Sequence, residues 1–178
     1  MRRIGVGLAV AAGILRAAQS APASAAELFG GVFAHDVNLG VSICCYEHGA
    51  DVMAGARTGP IVSLQGLGEL RAYAMGSVNT GGGVDFAAAG LAWRLHLTRT
   101  LYVQPALGGA VQDGDADNFQ RRPNHLDLGS RLLFEPELSL GWRFAPAWAA
   151  ELAYIHLSHG QLAGPQNPGM DDLGLRLI

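Results

Sequence analysis

The sequence contains no lysine and only two cysteines, and negative charges outnumber positive ones. Its 178 residues include 12 basic and 15 acidic residues, for a formal net charge of −3. A nucleic-acid-binding protein would carry a basic stripe, so this balance argues against that class. Cys44 and Cys45 are adjacent, and neighbouring cysteines rarely bridge one another because the geometry is strained. We therefore expect neither a disulfide framework nor a structural zinc site, which needs four ligands.

The N-terminus has three features of a secretory signal peptide in the right order. Two arginines follow the initiator methionine, residues 4–15 form an apolar run too short to span a membrane, and Ala23–Ala25 supplies a small-x-small cleavage site. We predict that residues 1–25 are removed, by cleavage after residue 25 or 26. Residues 26–178 would then keep 9 of the 12 basic residues against all 15 acidic ones, a net charge of −6.

The predicted mature chain also lacks a long hydrophobic run. No segment approaches the roughly 20 consecutive apolar residues of a transmembrane helix. Yet 49% of the sequence is hydrophobic, and 25 residues are glycine. An exported, apolar chain without a helical span is typical of an outer-membrane β-barrel.

Eight candidate strands support this interpretation. Most approach the roughly 9–11 residues that a tilted strand needs to cross a membrane, and eight is the smallest even number in single-chain bacterial barrels. Alternation is clear in residues 135–144, where Glu135 and Glu137 share one face and Leu138 and Leu140 the other. The sequence therefore predicts an all-β fold, an eight-stranded antiparallel transmembrane β-barrel. The predicted strands are Glu27–Asn38, Asp51–Thr58, Gly68–Val78, Asp85–Leu97, Leu101–Gln112, Arg131–Ala145, Trp148–Ser158 and Asp172–Ile178.

The connections between these strands alternate in length. Those after the odd-numbered strands are long, and those after the fourth and sixth are short, which is the asymmetry of outer-membrane barrels. We therefore expect both termini at the periplasmic end, and the end of the seventh strand at the outer surface. A soluble sandwich is the alternative, but its strands would be shorter. Five aromatic residues near the short turns predict a periplasmic girdle: Trp93, Tyr102, Trp142, Phe144 and Trp148.

A histidine and a serine lie two residues apart at the end of the seventh predicted strand. Because side chains alternate along a strand, His156 and Ser158 would share one face with Tyr154. A carboxylate returns on the next strand from Asp171 or Asp172, and strand parity lets only one of them face the pair. These residue types suit a base, a nucleophile and an orienting acid. A solvated histidine at the rim is the alternative, although ionisable groups near lipid tend to be functional.

The wider run carries a family resemblance. Tyr154-Ile-His-Leu-Ser-His-Gly-Gln-Leu162, followed by Asn167-Pro-Gly-Met-Asp171, resembles the C-terminal signature of the lipid A 3-O-deacylase (PagL) family. Members of that family are eight-stranded outer-membrane barrels with a late His-x-Ser pair, a loop ending in Asn-x-Gly and an acidic residue just after it. The motif covers about the last quarter of the chain, and elsewhere the likeness is one of architecture.

The resemblance implies a role for each matching residue. Ser158 would be the nucleophile and His156 its general base. Asp171 would hold the imidazole in the productive tautomer, and we prefer it to Asp172 because it follows Asn-Pro-Gly at the family's spacing. Asn167 and a backbone N–H near Gly160 would form the oxyanion hole, the donors that stabilise developing negative charge.

Three further residues are candidate substrate contacts. His159 stands where the family usually has asparagine, and it could still donate a hydrogen bond. Arg121 and Arg122 lie in the longest predicted loop and could bind the phosphates of lipid A, which suit the planar guanidinium. A solvated charge pair is the alternative for these two arginines.

The resemblance thus implies an outer-membrane esterase that removes the 3-O-linked 3-hydroxyacyl chain from lipid A of lipopolysaccharide, at a site facing the outer leaflet. The implied reaction requires no metal and no cofactor. The sequence does not indicate whether the barrel forms a homodimer. One alternative is a non-enzymatic barrel of the OmpA type, acting as an adhesin or structural protein through its loops. A phospholipase or acyltransferase barrel ranks last, since a calcium-dependent phospholipase would need a longer chain.

Overall fold

The computed structural model describes residues 26–43, 45–116 and 124–178. The predicted signal peptide, residues 1–25, and Cys44 lie outside these ranges. Cys45 is disulfide-bonded, contrary to the expectation from the sequence that adjacent cysteines rarely form a bridge. Among the described residues, no helix has the length and apolarity to cross a membrane. The strands are β1 Glu27–Ala34, β2 Ala50–Arg57, β3 Val62–Leu64, β4 Gly68–Asn79, β5 Phe86–His96, β6 Leu101–Gln112, β7 Leu132–Ala145, β8 Trp148–Leu157 and β9 Met170–Leu177.

Eight of these strands close into an antiparallel barrel. From β4 to β9 each strand pairs with the next, β9 pairs with β1, β1 with β2, and β2 with β4. The short strand β3 pairs only with the first residues of β4, beside the point where β2 ends. It therefore extends a hairpin and does not enter the ring. The predicted eight-stranded antiparallel barrel is confirmed, with β3 as an addition inside a predicted connection.

The ends of two strands differ from prediction in a way that positions the site. Strand β1 ends at Ala34, not at Asn38, because Asp36 adopts a positive φ of 48°. Strand β9 begins at Met170, two residues earlier than predicted. Asp171 is consequently part of the sheet and lies in register with β8.

The two ends of the barrel are unlike. Residues 97–100 and 146–147 make tight connections at one end, where β1 begins and β9 finishes. We call this the short-turn end. Strands β1, β6 and β8 finish at the other end, from which the longer connections start, and we call it the long-loop end.

Side chains on the barrel wall alternate as predicted. In β7, Glu135 and Ser139 are buried in the lumen, whereas Leu138 and Leu140 are each 51% exposed on the outer surface. Strands with polar residues inside and apolar residues outside are the pattern of a barrel surrounded by lipid. The outer wall is therefore apolar.

The predicted aromatic girdle forms only in part. Trp142, Phe144 and Trp148 are about half exposed near the short turns, as a membrane-interface belt requires. Tyr102 is instead 1% exposed in the lumen, where its hydroxyl donates to Glu151 Oε1 at 2.7 Å. Its position follows the strand alternation, which turns it inward.

The lumen at the short-turn end is filled by paired charges. Arg57 donates to both carboxylate oxygens of Glu151, at 2.8 and 2.7 Å, and Arg94 binds Glu27 in the same two-point manner. Arg176 donates to Glu151 at 2.9 Å. Two-point pairs of this kind are strong and directional, and they satisfy charges that would be costly to bury alone.

Candidate functional site

The candidate site is a row of outward-facing side chains at the end of β8. Ala153, Ile155 and Leu157 are fully buried in the lumen. Tyr154 and His156 alternate with them, so both face the outer wall and are partly exposed. The sequence alternation of β8 thus places an ionisable ring on an apolar outer surface.

His156 is paired with a carboxylate on the neighbouring strand. His156 and Asp171 are directly opposite in the β8–β9 register, and His156 Nδ1 lies 2.6 Å from Asp171 Oδ1. The Asp171 side chain is fully buried, whereas the His156 side chain is 14% exposed. Because an ionised carboxylate only accepts hydrogen bonds, Nδ1 carries the proton and Nε2 is left as the acceptor. The pair therefore has the tautomer of a general base.

Two further residues hold the Asp171 carboxylate in place. The Tyr154 hydroxyl donates to Oδ1 at 2.8 Å, and Ser42 donates to Oδ2 through its hydroxyl at 2.8 Å and its backbone N–H at 3.1 Å. Sequence reasoning assigned neither residue a role at the site. For Tyr154 the sequence contained a signal of a role at the site, since this residue shares the strand face of His156. Ser42 had none, because it comes from a long loop far away in the chain.

Asp172 lies on the opposite face of β9. It is 1% exposed, and its Oδ1 accepts the Asp36 backbone N–H at 3.1 Å in the lumen. Strand alternation therefore separates the two neighbouring aspartates, and the one that contacts His156 is Asp171.

Ser158 follows β8 directly and is held against β7. Its backbone exchanges two hydrogen bonds with Phe134, at 2.7 and 3.2 Å. Ser158 continues the outward row of His156. Among the described residues that surround it, no hydrogen bond joins its hydroxyl to His156. Catalytic contacts are often loose before substrate binds, and the shared face leaves both groups available to one substrate.

The loop after Ser158 carries both predicted oxyanion residues. Asn167 Oδ1 accepts the His159 backbone N–H at 3.0 Å, which leaves its Nδ2 group as a donor. Gly160 is exposed and has a positive φ of 58°. Gly160 is two positions after Ser158 in the sequence, and Asn167 is hydrogen-bonded to His159, the residue next to Ser158.

His159 has a different position from the one expected. The residue is 3% exposed, its Nε2 donates to the Gln166 carbonyl at 2.6 Å, and its Nδ1 accepts the Ala163 N–H at 3.2 Å. Both ring nitrogens are used within its own loop, so the ring orders residues 159–166 and offers a substrate no nitrogen. The other two candidate contacts, Arg121 and Arg122, lie outside the described residues.

Gly169 packs against the ring of His156. Its φ is +72°, and an added Cβ would lie 2.9 Å from His156 Cε1 and 3.2 Å from Ser42 Cβ. A side chain here would clash with the ring and strain the backbone. The glycine of the Asn-Pro-Gly sequence therefore makes room for the histidine.

Fold and site together define a small outer-membrane β-barrel with a histidine–carboxylate pair on its outer wall. Residues 62–177 match the family model described as lipid A 3-O-deacylase (PagL). Since this match covers more than half of the chain, the protein belongs to the lipid A 3-O-deacylase family. The family resemblance seen in the sequence is confirmed, and membership indicates an outer-membrane location.

A solved structure supports the fold. The crystal structure of the outer membrane enzyme PagL matches 86% of this chain and 97% of its own, with a TM-score of 0.61 and 19% sequence identity. The outer membrane protein Ail of Yersinia pestis matches 84% of this chain and 97% of its own, with a TM-score of 0.43 and 7% identity, too distant to support an argument. No curated protein matches the sequence.

Proposed function

We propose that this protein is an outer-membrane esterase that removes the 3-O-linked 3-hydroxyacyl chain from lipid A of lipopolysaccharide. The observation that carries the proposal is the 2.6 Å contact between His156 and Asp171 on the outer wall, beside Ser158. Family membership supports the substrate class. An outward-facing base is of use only to a substrate that reaches the barrel from the surrounding lipid.

In the proposed reaction, Ser158 Oγ attacks the ester carbonyl while His156 Nε2 takes its proton. Asp171 stabilises the imidazolium that results, as the acid of a catalytic triad does. The imidazolium then protonates the leaving 3-hydroxyl oxygen of the sugar, and an acyl-enzyme remains. Water, deprotonated by His156, attacks that ester, releases the 3-hydroxy fatty acid and restores Ser158.

Two donors would stabilise the tetrahedral intermediate. Asn167 Nδ2 is free to donate because Oδ1 is already held by the His159 N–H. A backbone N–H near Gly160 would supply the second hydrogen bond. Removing one such donor typically costs about 10²–10³-fold in kcat.

The surroundings of Ser158 suit a lipid substrate. Phe134, its strand partner, is 47% exposed, and Leu162 in the following loop is 80% exposed. These apolar surfaces would cover an acyl chain, since burying apolar surface contributes about 25 cal/mol of hydrophobic free energy per Å². The long-loop end would face outward, so that the ester of a lipid in the outer leaflet lies level with Ser158.

Mass spectrometry of lipid A from a Gram-negative host that expresses the protein tests this function. The wild type should remove one 3-hydroxyacyl chain, and Ser158→Ala should abolish the loss. Ser63→Ala, at the opposite end of the barrel, is the matched control and should retain the activity. Unchanged lipid A, with folded wild-type protein shown in the outer membrane, would refute the proposal and direct attention to the loops.

A further inference from the structure

A second histidine–carboxylate cluster lies inside the barrel at the long-loop end. It consists of His35, Asp51 and Asp172, which are 5%, 0% and 1% exposed. One ligand atom from each lies within 4.8 Å of the others. The three residues come from the segment after β1, from β2 and from β9, so the cluster joins three adjacent parts of the wall.

The distances in this cluster fit a tetrahedral metal site. His35 Nδ1 lies 3.0 Å from Asp51 Oδ2 and 3.7 Å from Asp172 Oδ1. Zinc binds nitrogen and oxygen at roughly 2.0–2.2 Å, which places neighbouring ligand atoms of a tetrahedron about 3.4 Å apart. The two distances lie on either side of that value, so a small ion could be accommodated by shifts of a few tenths of an ångström.

Glu47 orients the histidine from the other side. Its Oε2 lies 3.0 Å from His35 Nε2 and also accepts the Val84 N–H at 2.7 Å, while Oε1 accepts the Leu126 N–H at 2.8 Å. A metal-binding histidine almost always donates its second ring N–H to a carboxylate or carbonyl in this way. Nε2 donates to Glu47 and Nδ1 donates to Asp51 Oδ2 at 3.0 Å, so a metal ion that binds here would replace the Nδ1 proton.

An unpaired oxygen gives independent support. Asp172 Oδ2 is buried without a hydrogen-bond partner. Within residues 26–43, 45–116 and 124–178, no ion pair joins an arginine to Glu47, Asp51 or Asp172. Their nearest basic group is His35, so a single imidazolium faces three carboxylates, at 3.0, 3.0 and 3.7 Å. Buried carboxylates are normally paired or coordinate a metal, because desolvating an unpaired charge is costly. The cluster therefore requires either an additional cation or a shared proton.

We propose that the lumen holds a divalent transition-metal ion of the Zn²⁺ class, bound by His35 Nδ1, Asp51 and Asp172, with water as the fourth ligand. One nitrogen and two carboxylates form a donor set suited to zinc and its neighbours rather than to calcium, which prefers oxygen ligands alone. The ion stabilises the long-loop end by joining β2 and β9 to the segment after β1. The site is independent of the proposed deacylation, which involves no metal.

Metal binding to the purified, folded protein tests the proposal. After treatment with EDTA and removal of the chelator, the wild type should take up one Zn²⁺ per chain by elemental analysis. Excess Zn²⁺ should raise its Tm by about 5 °C or more. Asp172→Asn should lose both effects. Asp85→Asn is the matched control, since it removes one carboxylate near the same rim but outside the ligand set, and it should behave like the wild type.

Co²⁺ provides a readout that needs no variant. Bound in a tetrahedral nitrogen–oxygen site, it should give visible absorption bands that excess Zn²⁺ displaces. Wild-type protein without stoichiometric metal uptake and without such bands would overturn the proposal and leave a shared proton as the explanation. Equal uptake and an equal Tm rise in folded Asp172→Asn would also overturn it, because the metal would then be bound elsewhere.

Discussion

Asp171 and Asp172 are neighbours in sequence and carry the same functional group, but they lie on opposite faces of β9. Asp171 binds His156 at the outer wall, and Asp172 lies 3.7 Å from the ring of His35 in the lumen. On the outer side, hydroxyls of Tyr154 and Ser42 complete the carboxylate's hydrogen bonds. On the inner side, one carboxylate oxygen has no partner.

The hydrogen-bond donors around a carboxylate decide its chemistry. A carboxylate whose oxygens all have donors can hold and orient an imidazole without changing its own protonation state. A buried carboxylate with one oxygen that lacks a donor needs a cation or a proton. Because side chains alternate along a strand, the neighbouring Asp171 and Asp172 lie in these two different environments, one at the outer wall and one in the lumen.

The largest expected effect is on the outer side. Asp171→Asn should reduce kcat of deacylation about 10⁴-fold, because an amide would favour the wrong tautomer of His156. Fatty-acid release by the purified protein in lipopolysaccharide micelles measures it, with Asp85→Asn as the folded control. The same variant should keep Zn²⁺ uptake, which separates the two aspartates. A loss of less than tenfold would remove Asp171 from the proposed triad.

Gly169→Ala should have the next largest effect. Its Cβ would lie 2.9 Å from His156 Cε1, so the ring must move, and a displacement of about 1 Å can cost roughly 10²-fold in rate. We expect kcat to fall with little change in KM. Gly66→Ala is the matched control, because Gly66 has a similar φ of +75° but no heavy atom within 4 Å of an added Cβ. Equal losses in both variants would attribute the effect to backbone strain alone.

Tyr154→Phe should have the smallest of the three effects. The substitution removes the 2.8 Å hydrogen bond to Asp171 Oδ1 but keeps the ring. Hydrogen bonds to charged groups contribute about 1.5–3 kcal/mol, so a loss of roughly 10–100-fold in kcat is expected. Tyr46→Phe, a tyrosine in the loop after β1, controls for the loss of a hydroxyl. An unchanged rate would show that Ser42 alone suffices to hold the carboxylate.

Local rules predicted much of this molecule. Strand period and loop length predicted the ring of eight strands, and alternation predicted that His156 and Ser158 share a face. The same period required that only one of Asp171 and Asp172 reach His156. These features depend on residues close in sequence or on adjacent strands, where geometry is nearly fixed.

Features that depend on loops could not be predicted. Ser42 reaches Asp171 from a loop 129 positions away, and no period specifies such a contact. The bonds of His159 to Ala163 and Gln166 depend on loop conformation as well. Tyr102 is a different case, because its aromatic type indicated the membrane interface while strand parity placed it inside.

The filled lumen has a consequence for the membrane that holds the protein. Arg94, Gln104 and Glu151 are fully buried at the short-turn end, where paired charges occupy the cross-section of the barrel. An ion or small solute could pass this level of the barrel only if the charge pairs separated, and separating buried charges is costly.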